Sequence, residues 1–378
     1  MDKEIIVIGD IEIGAGTLTD DFISDNTFSE FIDELCSRKH PVDLILNGDT
    51  FDFLKCPYFK KGKATYPRHI SLDVSLQKLE SMNKAHTPFF TSLAKFVKDK
   101  ENSVYFIYGN HDMDLEFPEV KKKIRQLLKN KSNVHFKMFY QQHKVYAEHG
   151  HAYDFLNKVR RSELFVTHDK KAILNFPWIT FGLMGNMMFM KEKHPFLERV
   201  RPYPLLLDHH KILLHRLMWE AIKYLFMSVF YYPIRYFTDP TYSLPRGLFG
   251  EFYHRLKNAH WDVDAIVEVF KRRRRRRLHK NKIFVFGHIH EKFVEEKNGK
   301  VIIHPDTWRD EYTMDPHSKK LYPKKKMYVQ VLIDGEDIEW NLKHKRVERT
   351  RLLFNDVVKD EIMAVRHAAA EEDYPLGL

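Results

Sequence analysis

Cysteine is nearly missing from this chain. Only Cys36 and Cys56 occur in 378 residues, which excludes a disulfide scaffold and fits a reducing compartment. Long apolar runs are scarce too. One stretch, 172–190, runs 19 residues without a charge. That reaches only the lower range for crossing a bilayer, so a polytopic membrane protein is excluded. No secretory apolar region precedes the first strand-like run, and export is not expected. Net negative charge is absent as well. The formal charge is +10, which points to an anionic partner such as nucleic acid, a phospholipid surface or a phosphate ester. The 43% apolar and 30% charged shares exclude wholesale disorder and allow a real core.

The first third alternates short β-branched or aromatic runs (5–8, 44–46, 104–108) with helical patterns near 28–36 and 76–97. Each strand-like run is followed at once by Gly and acidic or amide residues. This is an α/β pattern. Further strands are expected at 145–147, 283–286, 301–303, 328–333 and 338–342. Between them, 155–280 differs in kind. It holds 24 basic against 11 acidic residues and 22 of the 52 aromatics. Its patterns are mostly helical and broken by prolines. We therefore divide the chain into core segments 1–154 and 281–342, a helical basic and aromatic insertion 155–280, and a charged tail 343–378 that is helical or loosely packed.

Five short motifs fall at the ends of expected strands, where open α/β sheets place their ligand sites. They are Gly9-Asp10-Ile11-Glu12, Gly48-Asp49-Thr50-Phe51-Asp52, Gly109-Asn110-His111-Asp112, His149-Gly150-His151 and Gly287-His288-Ile289-His290. Each joins a glycine, which lets the chain turn sharply, to side chains able to bind a metal. Carboxylate, amide oxygen and imidazole suit Mn²⁺, Fe or Zn²⁺, and the lack of thiolates argues against a structural zinc site.

In this order the motifs resemble those of the calcineurin-like metallophosphoesterase superfamily. The resemblance covers about 4–154 and 281–342. It implies a sandwich of two mixed β-sheets flanked by helices, here with a helical insertion, and a hydrolase acting on phosphoric ester or diphosphate bonds. It also implies two divalent metals, with Mn²⁺ favoured here and Fe, Zn²⁺ or Mg²⁺ as alternatives. Asp10, Glu12, Asp49 and His290 would hold the first. Asp49, Asn110, His149 and His288 would hold the second, with Asp49 bridging. A water activated between them would attack the phosphorus. His111, oriented by Asp52, would protonate the leaving oxygen. His151, Arg68 and Trp308 are the candidates for substrate contact.

One position departs from the pattern. Glu12 stands where the superfamily usually has His. As an oxygen ligand it would shift preference from Zn²⁺ toward Mn²⁺ or Mg²⁺. As a solvent-facing or capping residue it would leave a crippled first site.

The insertion suggests a substrate. Its apolar runs 172–190 and 224–234 are edged by Lys and Arg, and 272–277 is a run of six arginines. These features fit a cap that holds a lipid tail or lies on an anionic membrane surface. A soluble cap ranks second and a true span third. A lipid-binding cap is also the point of analogy with UDP-2,3-diacylglucosamine diphosphatase. The leading expectation is a hydrolase of a lipid-linked phosphodiester or pyrophosphate, cytoplasmic and peripheral on the inner membrane face. Alternatives are a nuclease or nucleotide phosphodiesterase, with nucleic acid the weaker partner, and a catalytically weak membrane-associated scaffold.

Overall fold

The computed structural model describes residues 1–129, 131–248, 250, 267, 269–272 and 275–377. In chain order the main elements are β1 (Lys3–Ile8), α1 (Asp25–Cys36), β2 (Val42–Leu46), α2 (Leu72–Ala85), α3 (Thr87–Phe96), β3 (Ser103–Ile107), α4 (Pro118–Leu127), β4 (Val134–Lys137), β5 (Tyr140–Gln142) and β6 (Val145–Ala147). A segment follows with the hairpin β7 (Phe165–His168) and β8 (Lys171–Leu174) and the helix α5 (Lys211–Phe230). The chain then returns with β9 (Ile283–Val285), β10 (Lys292–Lys297), β11 (Lys300–Pro305), β12 (Lys326–Asp334), β13 (Asp337–Lys345) and α6 (Glu361–Glu371).

Two mixed sheets form the sandwich. The first has the order β13-β12-β1-β2-β3-β4, with β1 to β4 parallel and β12 antiparallel to β1. The second has the order β10-β11-β9-β6-β5, with β9 parallel to both β6 and β11. Ile5, Val7, Ile45 and Ile107 of one sheet meet Val145, Val285 and Ile303 of the other in a buried apolar interface. Strands buried on both faces read as apolar runs, as 5–8 of β1 and 44–46 of β2 do, with buried Glu4 and Asp43 just before them. The outer face of the first sheet is covered by helices. The stripe Phe28, Phe31, Ile32, Leu35 of α1 follows helical spacing and is buried there.

The helix expected over 76–97 is divided. His86 ends α2, where its imidazole sits between Asp20 and Asp25, and Pro88 opens α3. The 172–190 run turns inward instead of forming one apolar helix. Ile173, Leu174, Phe176, Trp178, Phe181, Met184 and Met188 are buried. Among the described residues no helix is long and apolar enough to cross a membrane. Of the arginine run, 273 and 274 lie outside the described residues, as do 263–266 and 268 of the stretch before it. Arg277 is turned onto the core, with its guanidinium 4.0 Å from the Phe139 ring centre and bonded to the Tyr146 hydroxyl. Part of the tail is firmly packed. Val365, Ala368 and Ala369 of α6 are buried, and the Tyr374 hydroxyl lies 3.2 Å from Asp20 Oδ2.

Candidate metal centre

Strands β1, β2 and β3 are parallel, and so are β6 and β9, so their C-terminal ends open on one edge of the sandwich. The five motifs meet there. The loops are tight. Asp10, Glu12, Asp49, His288 and His290 all have positive φ, from 46° to 85°. That left-handed backbone is unusual for residues with a side chain and clusters at functional sites. Gly109 is needed for close approach, since a Cβ there would lie 2.0 Å from Asp49 Oδ1. Asp112 closes the same loop by accepting the Gly109 and Thr50 N–H groups at 2.6 and 3.0 Å. Burial and the Asp49 carboxylate push Asp112 up to about 8.

Two donor groups converge. In one, His149 Nε2 is 3.1 Å from both Asp49 Oδ2 and Asn110 Oδ1. Donor atoms of Asp49, His149 and His288 lie within 4.8 Å of one another. In the other, His290 Nε2 is 3.4 Å from both Asp10 Oδ1 and Glu12 Oε1. Such separations are those of neighbouring ligands around one small cation. Each imidazole is held at its far nitrogen: His149 Nδ1 at 3.1 Å from the Asn47 carbonyl, His290 Nδ1 at 3.3 Å from Glu311 Oε1, and His288 Nε2 at 3.4 Å from Asp154 Oδ2. Outer partners of this kind fix ring orientation in metal sites. The donor set therefore fits divalent metal ions.

Glu12 is neither exposed nor a cap. It is 1% exposed. Its Oε1 faces His290, while Oε2 receives Lys55 Nζ at 2.7 Å. Burial would raise its pKa, but Arg309 and Lys55 outweigh this and hold it at about 2. Lys55 also meets Asp21 Oδ2 at 2.6 Å, Asp52 Oδ2 at 3.1 Å and Glu198 Oε1 at 3.2 Å. Lys191 bonds to Asp21 and Glu198. This lattice of three cations and four carboxylates was not expected from the sequence. Lys55 lies three residues after Asp52 and Arg309 follows Trp308, which were its only local signals.

His111 donates from Nδ1 to Asp52 Oδ1 at 2.9 Å, and its backbone N–H bonds Asp49 Oδ1 at 2.8 Å. Burial disfavours its charged form, yet Glu12, Asp52 and Asp49 push it up to about 10. His151 stands behind the centre, its ring 5.4 Å from that of His149. Burial, with His149 and His288, pushes it down to about 3.

Two expected substrate contacts lie elsewhere. Trp308 is fully buried and donates Nε1–H to the Met327 carbonyl at 2.6 Å. Arg68 donates to the Thr241 hydroxyl and carbonyl at 2.8 and 2.7 Å and stacks on Phe181 and Tyr242.

A cavity of about 550 Å³ opens from the centre. Asp49, Asn110, His111, His288 and His290 line one end. Leu54, Ile179, Leu183, Met187, Leu206 and Leu213 line much of the rest.

No protein of curated function matches the chain. Among solved structures, Vacuolar Protein Sorting 29 from Cryptosporidium parvum aligns at 13% identity and a TM-score of 0.28, covering 91% of this chain and 97% of that one. A candidate 5′-nucleotidase from Staphylococcus aureus, in complex with alpha-ketoglutarate, aligns at 12% identity and a TM-score of 0.33, covering 99% and 58%. Those scores carry no argument. The family comparison does. The profile described as calcineurin-like phosphoesterase matches residues 3–292, a span that contains all five motifs. Members act as metal-dependent hydrolases of phosphoric esters, and this chain belongs to the calcineurin-like phosphoesterase family.

Proposed function

We propose that the chain hydrolyses a phosphodiester or pyrophosphate bond in a substrate bearing a lipid-like tail. The observation that carries this reading is the cavity, which is polar at the metal centre and apolar along the residues of 155–280 that cover it. An aqueous sugar or nucleotide would leave such walls unmatched, whereas an alkyl chain gains from them.

Asp10, Glu12, Asp49 and His290 would hold one divalent ion, and Asp49, Asn110, His149 and His288 a second, with Mn²⁺ favoured by the hard oxygen donors. Bound ions supply charge neutralisation for a phosphoryl group and acidify water. The chain's own groups do the rest. Asp52 occupies His111 Nδ1, leaving Nε2 as the proton donor to the leaving oxygen. Arg309 and Lys55 line the same cavity, but their charges are taken by Glu12, Asp21 and Glu198, so they hold the Glu12 carboxylate in place. The apolar walls exclude water from the tail.

The test is a homologous substrate series. Each buried methylene contributes ~0.8 kcal/mol, so kcat/KM should rise about fourfold per added carbon until the cavity is filled. A flat dependence on chain length would overturn the lipid reading.

A second observation favours a membrane surface as the source of substrate. The outer face of α5 and the turn after it expose Met218, Trp219, Ile222, Phe226, Phe230 and Ile234. Lys211, Arg216, Lys223 and Arg235 stand beside them. An apolar face edged by basic residues suits an anionic lipid interface. F226E/F230E protein should sediment less with anionic vesicles than the unaltered protein. Equal sedimentation would count against this face.

A further inference from the structure

Outside the catalytic edge, a second cluster has the chemistry of a metal site. Donor atoms of His69, His168 and Asp239 lie within 4.8 Å of one another. His69 Nε2 is 2.7 Å from Asp239 Oδ2, and the His69 and His168 ring centres lie 4.2 Å apart with the planes tilted by 31°. Asp239 is 2% exposed. Its other oxygen, Oδ1, is fully used by the Thr241 N–H at 3.0 Å and hydroxyl at 2.7 Å. Only Oδ2 faces the histidines. On the outer side, Asp169 Oδ2 lies 3.5 Å from His168 Nε2.

The three residues come from three distant segments. His69 precedes α2 on the core. His168 ends β7, and Asp239 lies at the corner after α5, both in the segment that covers the cavity. The same joint carries the Arg68 contacts to Thr241, Phe181 and Tyr242 and the bridge between Ser71 and Ile173. A hydrogen bond accounts for His69 and Asp239 alone. It does not account for a second imidazole set 4.2 Å from the first beside a buried carboxylate.

We infer that His69, His168 and Asp239 bind a Zn²⁺-class ion that clasps the covering segment, which carries β7, β8 and α5, to the core. Two imidazoles and one carboxylate are a common zinc donor set, with a fourth position left for water. At zinc–ligand distances of ~2.0–2.1 Å, tetrahedral donors sit about 3.3 Å apart, so small side-chain rotations would close the cluster. The site is distinct from the catalytic centre, shares no ligand with it and does not depend on the lipid reading.

The test counts zinc in full-length protein, stripped with chelator, reloaded with Zn²⁺ and gel-filtered. H168A should hold one zinc fewer than the unaltered chain. D49N should lose metal from the catalytic edge yet keep this ion. Reloading the unaltered chain with Co²⁺ should give the strong visible absorption of a four-coordinate ion, and this signal should persist in D49N. Added Zn²⁺ should also slow tryptic cleavage within 155–280 in the unaltered chain and in D49N, but not in H168A. Should H168A fold poorly, H69Q serves in its place, and the Co²⁺ spectrum of D49N needs neither variant. Equal zinc content in the unaltered chain and H168A, or no four-coordinate Co²⁺ signal in D49N, would overturn the inference.

Discussion

Replacing Glu12 separates two roles that the structure gives one carboxylate. Oε1 lies 3.4 Å from His290 Nε2, on the side of Asp10, while Oε2 takes the Lys55 ammonium at 2.7 Å. The stability effect can be bounded. Glu12 is held at about 2 against an ordinary 4.5, a preference for the anion of about 3 kcal/mol. A neutral amide forfeits that preference. Lys55 still keeps Asp21, Asp52 and Glu198 at 2.6, 3.1 and 3.2 Å. The cost of E12Q therefore falls below the ~3–5 kcal/mol of a stranded buried charge. The effect on metal should be larger. Disturbing an outer partner of a metal ligand already costs ~10–100-fold in affinity or activity, and removing a ligand should exceed that. E12A should purify with metal content falling toward one ion per chain and lose at least about 100-fold in turnover of bis-(p-nitrophenyl) phosphate. E12Q should lie between E12A and the unaltered chain, and E12H should move the preference from Mn²⁺ toward Zn²⁺. Elemental analysis after dialysis, turnover and urea melts read the three effects. If E12A lost stability but kept two metals and full turnover, Glu12 would serve only Lys55 and Arg309, and its role as a ligand would be refuted.

D49N removes the carboxylate proposed to bridge the two ions, so metal content and hydrolysis should collapse together, and normal metal content with normal turnover would contradict a shared ligand. H111A should leave metal content unchanged and slow turnover by roughly 10²–10⁴-fold on a poor leaving group. The loss should be much smaller on a p-nitrophenyl ester, and equal losses on both would remove His111 as proton donor. His86 predicts a pH dependence of stability. Burial opposes its charge, but Asp20 and Asp25 raise it from 6.5 to about 10. Its contribution is therefore complete below about pH 6.5 and is lost as pH rises through about 10. Urea midpoints should decline across that window, and H86Q should flatten the decline. An unchanged slope in H86Q would assign the effect to other groups.

The sequence by itself determined eight of the eleven sandwich strands, missing β4, β5 and β10, and the seven metal-competent residues. Strands buried on both faces are mostly apolar, and a chain leaving such a strand into a tight site needs glycine beside its ligand. Both requirements are local, so β1, β2, β3 and β9 and their motifs can be read in one dimension. What lies behind those residues was decided only in three dimensions. Lys55, Lys191 and Arg309 come from three distant segments, and no spacing links them to Glu12. The inward turn of 172–190 follows from packing against the core, not from hydropathy, which is equally satisfied by lipid and by buried protein. Arg68 was a candidate for substrate contact. It binds Thr241 instead, since a half-buried guanidinium takes the carbonyls and aromatic faces the fold brings to it. The pairing of His69 with His168 and Asp239 has the same origin. Contacts between segments a hundred residues apart depend on where two surfaces meet, and only the folded chain sets that.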